Sequence, residues 1–235
     1  MILSPVHQFE IRFTTLLNFS NVVRPIVAPF AKLATRTIVD NENLISEKIS
    51  LIFDDEFYQI LILSDRIIFR SDRYDVNNLL QNNSFIEEPF FNIFNKIFEL
   101  QDFGKITNVL FWSFYINTQP SKQFENVREE FKVKNFNADG YISFIPRLTD
   151  MAITLESKDE HGSQLSITTG PYIGIEDLTK RGLKVNDKAL LVELANVGEI
   201  IEYKYFMITS KVNFSIYKEL TKKAEAIIQQ KWGNR

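Results

Sequence analysis

Residues Val109 to Ile116 read Val-Leu-Phe-Trp-Ser-Phe-Tyr-Ile, almost wholly apolar or aromatic. Neither face of such a segment can be left to water. It therefore reads as a strand at the centre of a sheet covered on both sides. That strand needs neighbours, and the sequence supplies them on either side. Val6 to Phe13 alternates, with Phe9, Ile11 and Phe13 on one face and Gln8, Glu10 and Arg12 on the other. Ile49 to Phe53, Phe57 to Leu63 and Ile67 to Arg70 follow as three strands, with turns at Asp54-Asp55 and Ser64-Asp65. Beyond the central segment, Tyr141 to Leu148, Met151 to Ser157 and Gln164 to Thr169 read as a second three-strand meander, turning at Thr149-Asp150 and His161-Gly162. Ala189 to Ala195 and Tyr203 to Thr209 add two more strands.

Helical spacing falls between these strands. Val22, Val23, Ile26, Val27 and Phe30 share a helical period, but Pro25 and Pro29 interrupt it. A helix beginning near Pro25, or two short pieces, fits the prolines better than one continuous helix. Pro89 to Leu100 predicts a helix with Phe90, Phe94, Ile97 and Phe98 on one face, and Glu87 and Glu88 near its positive end. Ser121 is the candidate cap of a short helix through Val127 to Phe131. A last helix, Ser215 to Trp232, carries an apolar stripe of Tyr217, Leu220, Ala224, Ile227 and Ile228, which should close the second portion of the fold with Leu220 and Ile227 largely buried. The fold class is α+β, with predominantly antiparallel sheets and packed helices. Both portions, residues 1–104 and 105–235, run strand, helix, three strands, helix. Two degenerate copies of one unit would give that order, and so would chance. We expect one compact body built from the two portions.

Composition limits the chemistry. The 235 residues include no cysteine, which removes disulfides, thiolate metal sites and cysteine nucleophiles. The 21 Phe against 3 Met predict a core of rings with Ile and Leu. The net charge of −3 gives no general attraction to a phosphate backbone. The start, Met1-Ile2-Leu3-Ser4-Pro5, has no basic residue before its short apolar run, and Glu10 and Arg12 soon interrupt it. That pattern is unlike a leader, and no apolar run approaches the ~20 residues of a membrane span. We expect a cytoplasmic protein that does not enter membranes.

Several groupings could carry function. Asp54-Asp55-Glu56, Asp65, Asp72 and Asp75 are the densest acidic set. Asp54 and Asp72 are the first choices for a metal-dependent hydrolase or nuclease, since such sites use several carboxylates. Acidic turns also keep hairpins soluble, and loops at opposite ends of a meander would not converge. His7 lacks a local acid or nucleophile. His161 lies in Lys158-Asp159-Glu160-His161-Gly162, which serves equally as a polar turn. Gly170-Pro171-Tyr172-Ile173-Gly174 lacks the lysine of a phosphate cradle and reads as a rigid turn after a strand. Lys122, Arg128, Lys132 and Lys134 could form a basic nucleic-acid surface, although Glu125, Glu129 and Glu130 interrupt it. No cofactor is implied. With no coherent catalytic constellation in the sequence, the leading expectation is a non-enzymatic protein-interaction module, an inhibitory, immunity or regulatory component that binds another protein. Tyr217, Leu220 and Ile227 are its candidate surface if the last helix is not closed into the core.

Overall fold

The apolar segment is indeed central. The computed structural model describes residues 2–72, 86–136, 150–181, 183 and 188–233. Its strands are β1 (Ile2–Phe13), β2 (Arg36–Asp40), β3 (Lys48–Phe53), β4 (Tyr58–Leu63), β5 (Arg66–Ser71), β6 (Ile106–Thr118), β7 (Ile153–Lys158), β8 (Gln164–Ile173) and β9 (Val197–Met207). The helices are α1 (Phe19–Ala31), α2 (Asn92–Phe98), α3 (Phe124–Asn135), α4 (Gly174–Lys180), α5 (Lys188–Leu194) and α6 (Phe214–Trp232). The strands form one nine-stranded antiparallel sheet in the order β2-β3-β4-β5-β1-β6-β9-β8-β7, with the six helices packed on it. β1 and β6 lie side by side in the middle, with Phe9 opposite Phe111 and Ile11 opposite Val109. One sheet therefore runs through both portions of the chain. After the opening strand and helix their element orders part. Four strands in succession follow α1, whereas α4 and α5 separate β8 from β9. There is no evidence of duplicated strand-helix units.

Strand parity decides which layer each residue joins. Phe9, Ile11, Val109, Phe111, Tyr115 and Tyr203 join the large core beneath α1, α2 and α6. Val6, Phe114 and Ile116 face the other way, into a second core with Tyr172, Leu178, Leu190 and Leu194. The central strand is thus apolar on both faces because it separates two cores. The polar face predicted for β1 is not simply solvated, since Glu10 is buried and held by Arg12 and Arg66.

The structure corrects several expectations. α1 is one continuous helix despite Pro25 and Pro29. Asn21, Pro25 and Pro29 recur every four residues along its exposed side. The carbonyls that lose a proline N–H partner therefore face water, which can solvate them. The helix expected from Pro89 follows a kink at Glu88, whose backbone is extended, and Phe98 lies half-exposed at the border of the core, its ring against Phe94 and Phe103, while Phe90, Phe94 and Ile97 are buried. Ser121 caps nothing, because α3 starts at Phe124 with Gln123 in the cap position. The segment read as a strand at Ala189 to Ala195 is helix α5. Leu190 and Leu194 lie one turn apart and are buried, while Val192 is exposed. β8 continues through Pro171 where a turn was expected. Its pairing with β7 ends at Thr169, so no β7 hydrogen bond is lost at the proline, and the chain turns only at Gly174, with φ +68°. Tyr141 to Leu148 and Asp75 lie outside the described residues.

α6, expected to close the second portion of the fold, packs on the large core, which holds residues of both portions, and its stripe is rotated slightly. Tyr217, Leu220, Ala224, Ile228 and Trp232 are buried, and Ile227, expected to be largely buried, sits half-covered at the border. The four-residue steps from Leu220 to Trp232 track one side of the helix more closely than the step to Ile227. Asn213, whose side chain accepts from the Ile216 N–H at 3.1 Å, caps the helix.

Candidate protein-binding edge

β2 is the strand that sequence reasoning missed. Arg36-Thr37-Ile38-Val39-Asp40 shows no alternation of burial, because the strand lies at the rim of the sheet and four of its five residues are exposed. Its inner side pairs with β3, setting Ile38 opposite Ser50 and Val39 opposite Ile49. Among the described residues no strand pairs with its outer side. Ile38 and Val39, both large and apolar, are nevertheless 40% and 42% exposed.

The segments on either side of β2 extend this apolar character. Leu33 precedes it, and Leu44 and Ile45 follow it in the loop to β3; all three are exposed. Leu17, also exposed, joins Leu44 and Ile45 around a shallow hollow. These side chains are not on a loose loop. Glu47 is fully buried beneath it and accepts from Arg24 Nε and Nη2, both at 2.8 Å, from Ser20 Oγ at 2.6 Å and from the Asn43 N–H at 2.7 Å. The Arg24 guanidinium, helped by Ser20 and Asn43, holds the Glu47 carboxyl down at about 2 against the cost of burial. The fixed carboxylate ties the loop to α1, so Leu44 and Ile45 are presented in a set position.

Both ends of β2 are charged. Arg36 reaches Asp54 through Nε at 3.0 Å and Nη2 at 2.8 Å, a bidentate pair that raises the arginine further above its ordinary range. Asp40 pairs with Lys48 at 2.7 Å. These pairs are more than a third exposed on both partners, so they remain open to exchange with water or with another charge.

Beside this edge, Asp54 and Asp72 do come together. β5 runs back along β4, so its end lies next to the turn before β4; the Asp72 N–H donates to the Phe57 carbonyl at 3.2 Å. The two carboxylates line one cleft of about 430 Å³ with Arg36, Phe53, Phe57 and Gln59. Asp65 lies at the opposite end of the hairpin, held by Arg66. Asp54 and Asp72 are each engaged by a guanidinium, Arg36 for the first and Arg70, at 2.7 Å, for the second. Among the described residues no three acidic or histidine side chains are grouped to hold a metal ion.

The basic residues are spread along and before α3. Lys122 donates to Glu130, Lys132 to Glu129 at 3.4 Å and Lys134 to the Lys231 carbonyl at 3.2 Å, while Arg128 lies 3.8 Å from Glu129. Lys122 and Lys134 share a groove with Glu129, Glu130 and the exposed Val133. The interrupting glutamates thus meet the cations on the same surface. His161 is exposed in its turn, where the Asp159 carboxylate accepts from the His161 and Ser163 N–H groups.

His7 has partners that local sequence could not reveal. Its Nδ1 lies 2.7 Å from Ser113 Oγ on β6, and its Nε2 lies 2.8 Å from Tyr217 Oη on α6. All three residues are fully buried, and burial lowers the imidazole to about 3, so it is neutral at ordinary pH. A serine beside a neutral imidazole resembles a nucleophile and base, but here the group sits inside the large core. It ties the two central strands to α6. Tyr217 and Leu220 belong to that core, which leaves Ile227 as the part of the stripe reaching the surface. No helix among the described residues is long and apolar enough to cross a membrane. No family model matches the chain, and no curated protein matches it either.

Proposed function

We propose that this is a cytoplasmic, non-enzymatic protein-interaction module, an inhibitory, immunity or regulatory component, which receives a strand of its partner at β2. The observation that supports this reading is the exposed Ile38-Val39 pair on an edge with no strand on its outer side among the described residues. An edge strand offers a row of N–H and C=O groups to any extended chain, and proteins ordinarily guard such edges with lysine, proline or a bulge. β2 has none of these within its five residues. The charges of β2, Arg36 and Asp40, stand only at its ends and leave Thr37, Ile38 and Val39 between them, whereas the other edge, β7, carries Glu156 inside the strand as well as Lys158 at its end. Backbone pairing would give affinity at β2, and the apolar side chains would select what lies against them.

A photo-crosslinking amino acid placed at Ile38 in the producing cell tests the reading, with the same group at exposed Val192 on α5 as control. A discrete protein adduct from position 38 and none from 192 is the expected result. Equal labelling from both positions, or no protein adduct from 38, overturns it.

A further inference from the structure

We propose that the partner strand at β2 is β2 of a second copy of this chain, paired antiparallel about a two-fold axis through Ile38. This rests on the reading of β2 as a binding edge and names its occupant. The reason lies in the order of the five residues. When Arg36-Thr37-Ile38-Val39-Asp40 meets itself antiparallel with Ile38 opposite Ile38, Arg36 of each copy falls opposite Asp40 of the other. Thr37 falls opposite Val39. Two attractive cross-strand charge pairs form at the ends, three β-branched pairs lie between them, and no like charges meet.

The arrangement holds whichever alternate residues of β2 turn their backbone groups outward, because the two-fold axis gives both copies the same parity. Arg36 and Asp40 are exposed, with side chains at 59% and 47%, so both can reach across without leaving the core. Self-pairing also closes the assembly. Joining β2 to β7 would leave a free β2 and a free β7 and so propagate, whereas β2 against β2 uses up one edge in each copy. The pairing would make an eighteen-stranded sheet of two nine-stranded halves.

A five-residue contact is small beside standard protein interfaces, so the dimer is expected to be weak and reversible, dissociating at roughly micromolar concentrations or above. Sedimentation equilibrium of the full chain over a wide concentration range measures it. Arg36→Asp sets two carboxylates against each other at both ends, and Asp40→Arg sets two guanidiniums against each other. Each variant alone should associate at least about tenfold more weakly than the parent, because two attractions become two repulsions. In an equimolar mixture, a copy carrying Arg36→Asp has acidic side chains at both ends of β2, and a copy carrying Asp40→Arg has basic ones at both. Paired with each other they restore two attractive contacts, so the mixture should recover association to within about threefold of the parent. The local pairs with Asp54 and Lys48 are equally disturbed alone and in the mixture, so recovery reports the contact between copies.

A parent chain that dimerises indifferently to both reversals overturns the proposal, as does a mixture that fails to recover. A strictly monomeric parent whose position 38 crosslinks to a different protein overturns self-pairing and leaves the binding edge standing. A monomeric parent with no adduct at position 38 overturns both. Circular dichroism of each variant verifies the fold, and Ile38→Lys, which sets two ammonium groups across the axis, provides a second disruption without touching either charge.

Discussion

Replacing His7 by Gln should flatten the dependence of stability on pH between 7 and 5. In the native protein His7 is fully buried against Ser113 and Tyr217, and its pKa lies at about 3, against 6.5 for an ordinary histidine. The sign follows from which state holds the proton. Below pH 6.5 the unfolded chain protonates this imidazole while the native core refuses the charge, so protons favour unfolding. Stability is therefore complete above 6.5, falls as pH drops, and stops falling only near 3. Each pH unit inside that window costs about 1.4 kcal/mol. From pH 7 to pH 5 the loss attributable to His7 is about 2 kcal/mol, a large part of an ordinary domain's stability. That value is the same for any native pKa below about 4. His161 is exposed and common to both proteins, as are the carboxylates, so their contributions cancel in the comparison. Urea unfolding of the parent and of His7→Gln at pH 7, 6 and 5 provides the measurement. His7→Gln is less stable at pH 7, because Ser113 and Tyr217 lose well-placed partners, but the quantity that matters is the slope. Parallel pH profiles for the two proteins would refute the argument, and so would a native resonance assigned to His7, absent from His7→Gln, that titrates near 6.5.

Two further outcomes follow from packing. Ile228→Asp, at a fully buried position, should cost several kcal/mol, Ile227→Asp less, and Lys222→Asp within about 0.5 kcal/mol of nothing, all read by denaturant unfolding; equal losses at 227 and 228 would contradict the rotated stripe of α6. Gly198→Ala should destabilise by about 1–3 kcal/mol, since an added Cβ would overlap the Asn117 carbonyl oxygen of the neighbouring strand; an unchanged unfolding midpoint would show that the β6–β9 pair can spread at no cost.

Much of the fold is written locally. Val109 to Ile116 has no face for water, and that alone makes it central. The three strands from Lys48 to Ser71 alternate and are divided by short polar turns, so their hairpins are legible in order and in place. The cysteine-free composition and the four-residue steps along α6 likewise need no neighbour to be read. The misreadings share a cause: the deciding partner is distant in sequence or is water. α5 resembles a strand because a run of Leu and Val carries little period until one side meets a core. α1 tolerates two prolines because the carbonyls they orphan happen to face solvent. β2 has no pattern to read because neither of its faces is buried. Asp54 and Asp72 converge only because β5 returns along β4. His7 acquires Ser113 across the central strand pair and Tyr217 from 210 residues away. Short-range periodicity determines which elements exist, since it arises from the few bonds between neighbouring residues. Which surface is left open, which charge is paired and which polar group is sealed inside depend on contacts between segments far apart in the chain, and only the assembled sheet decides them.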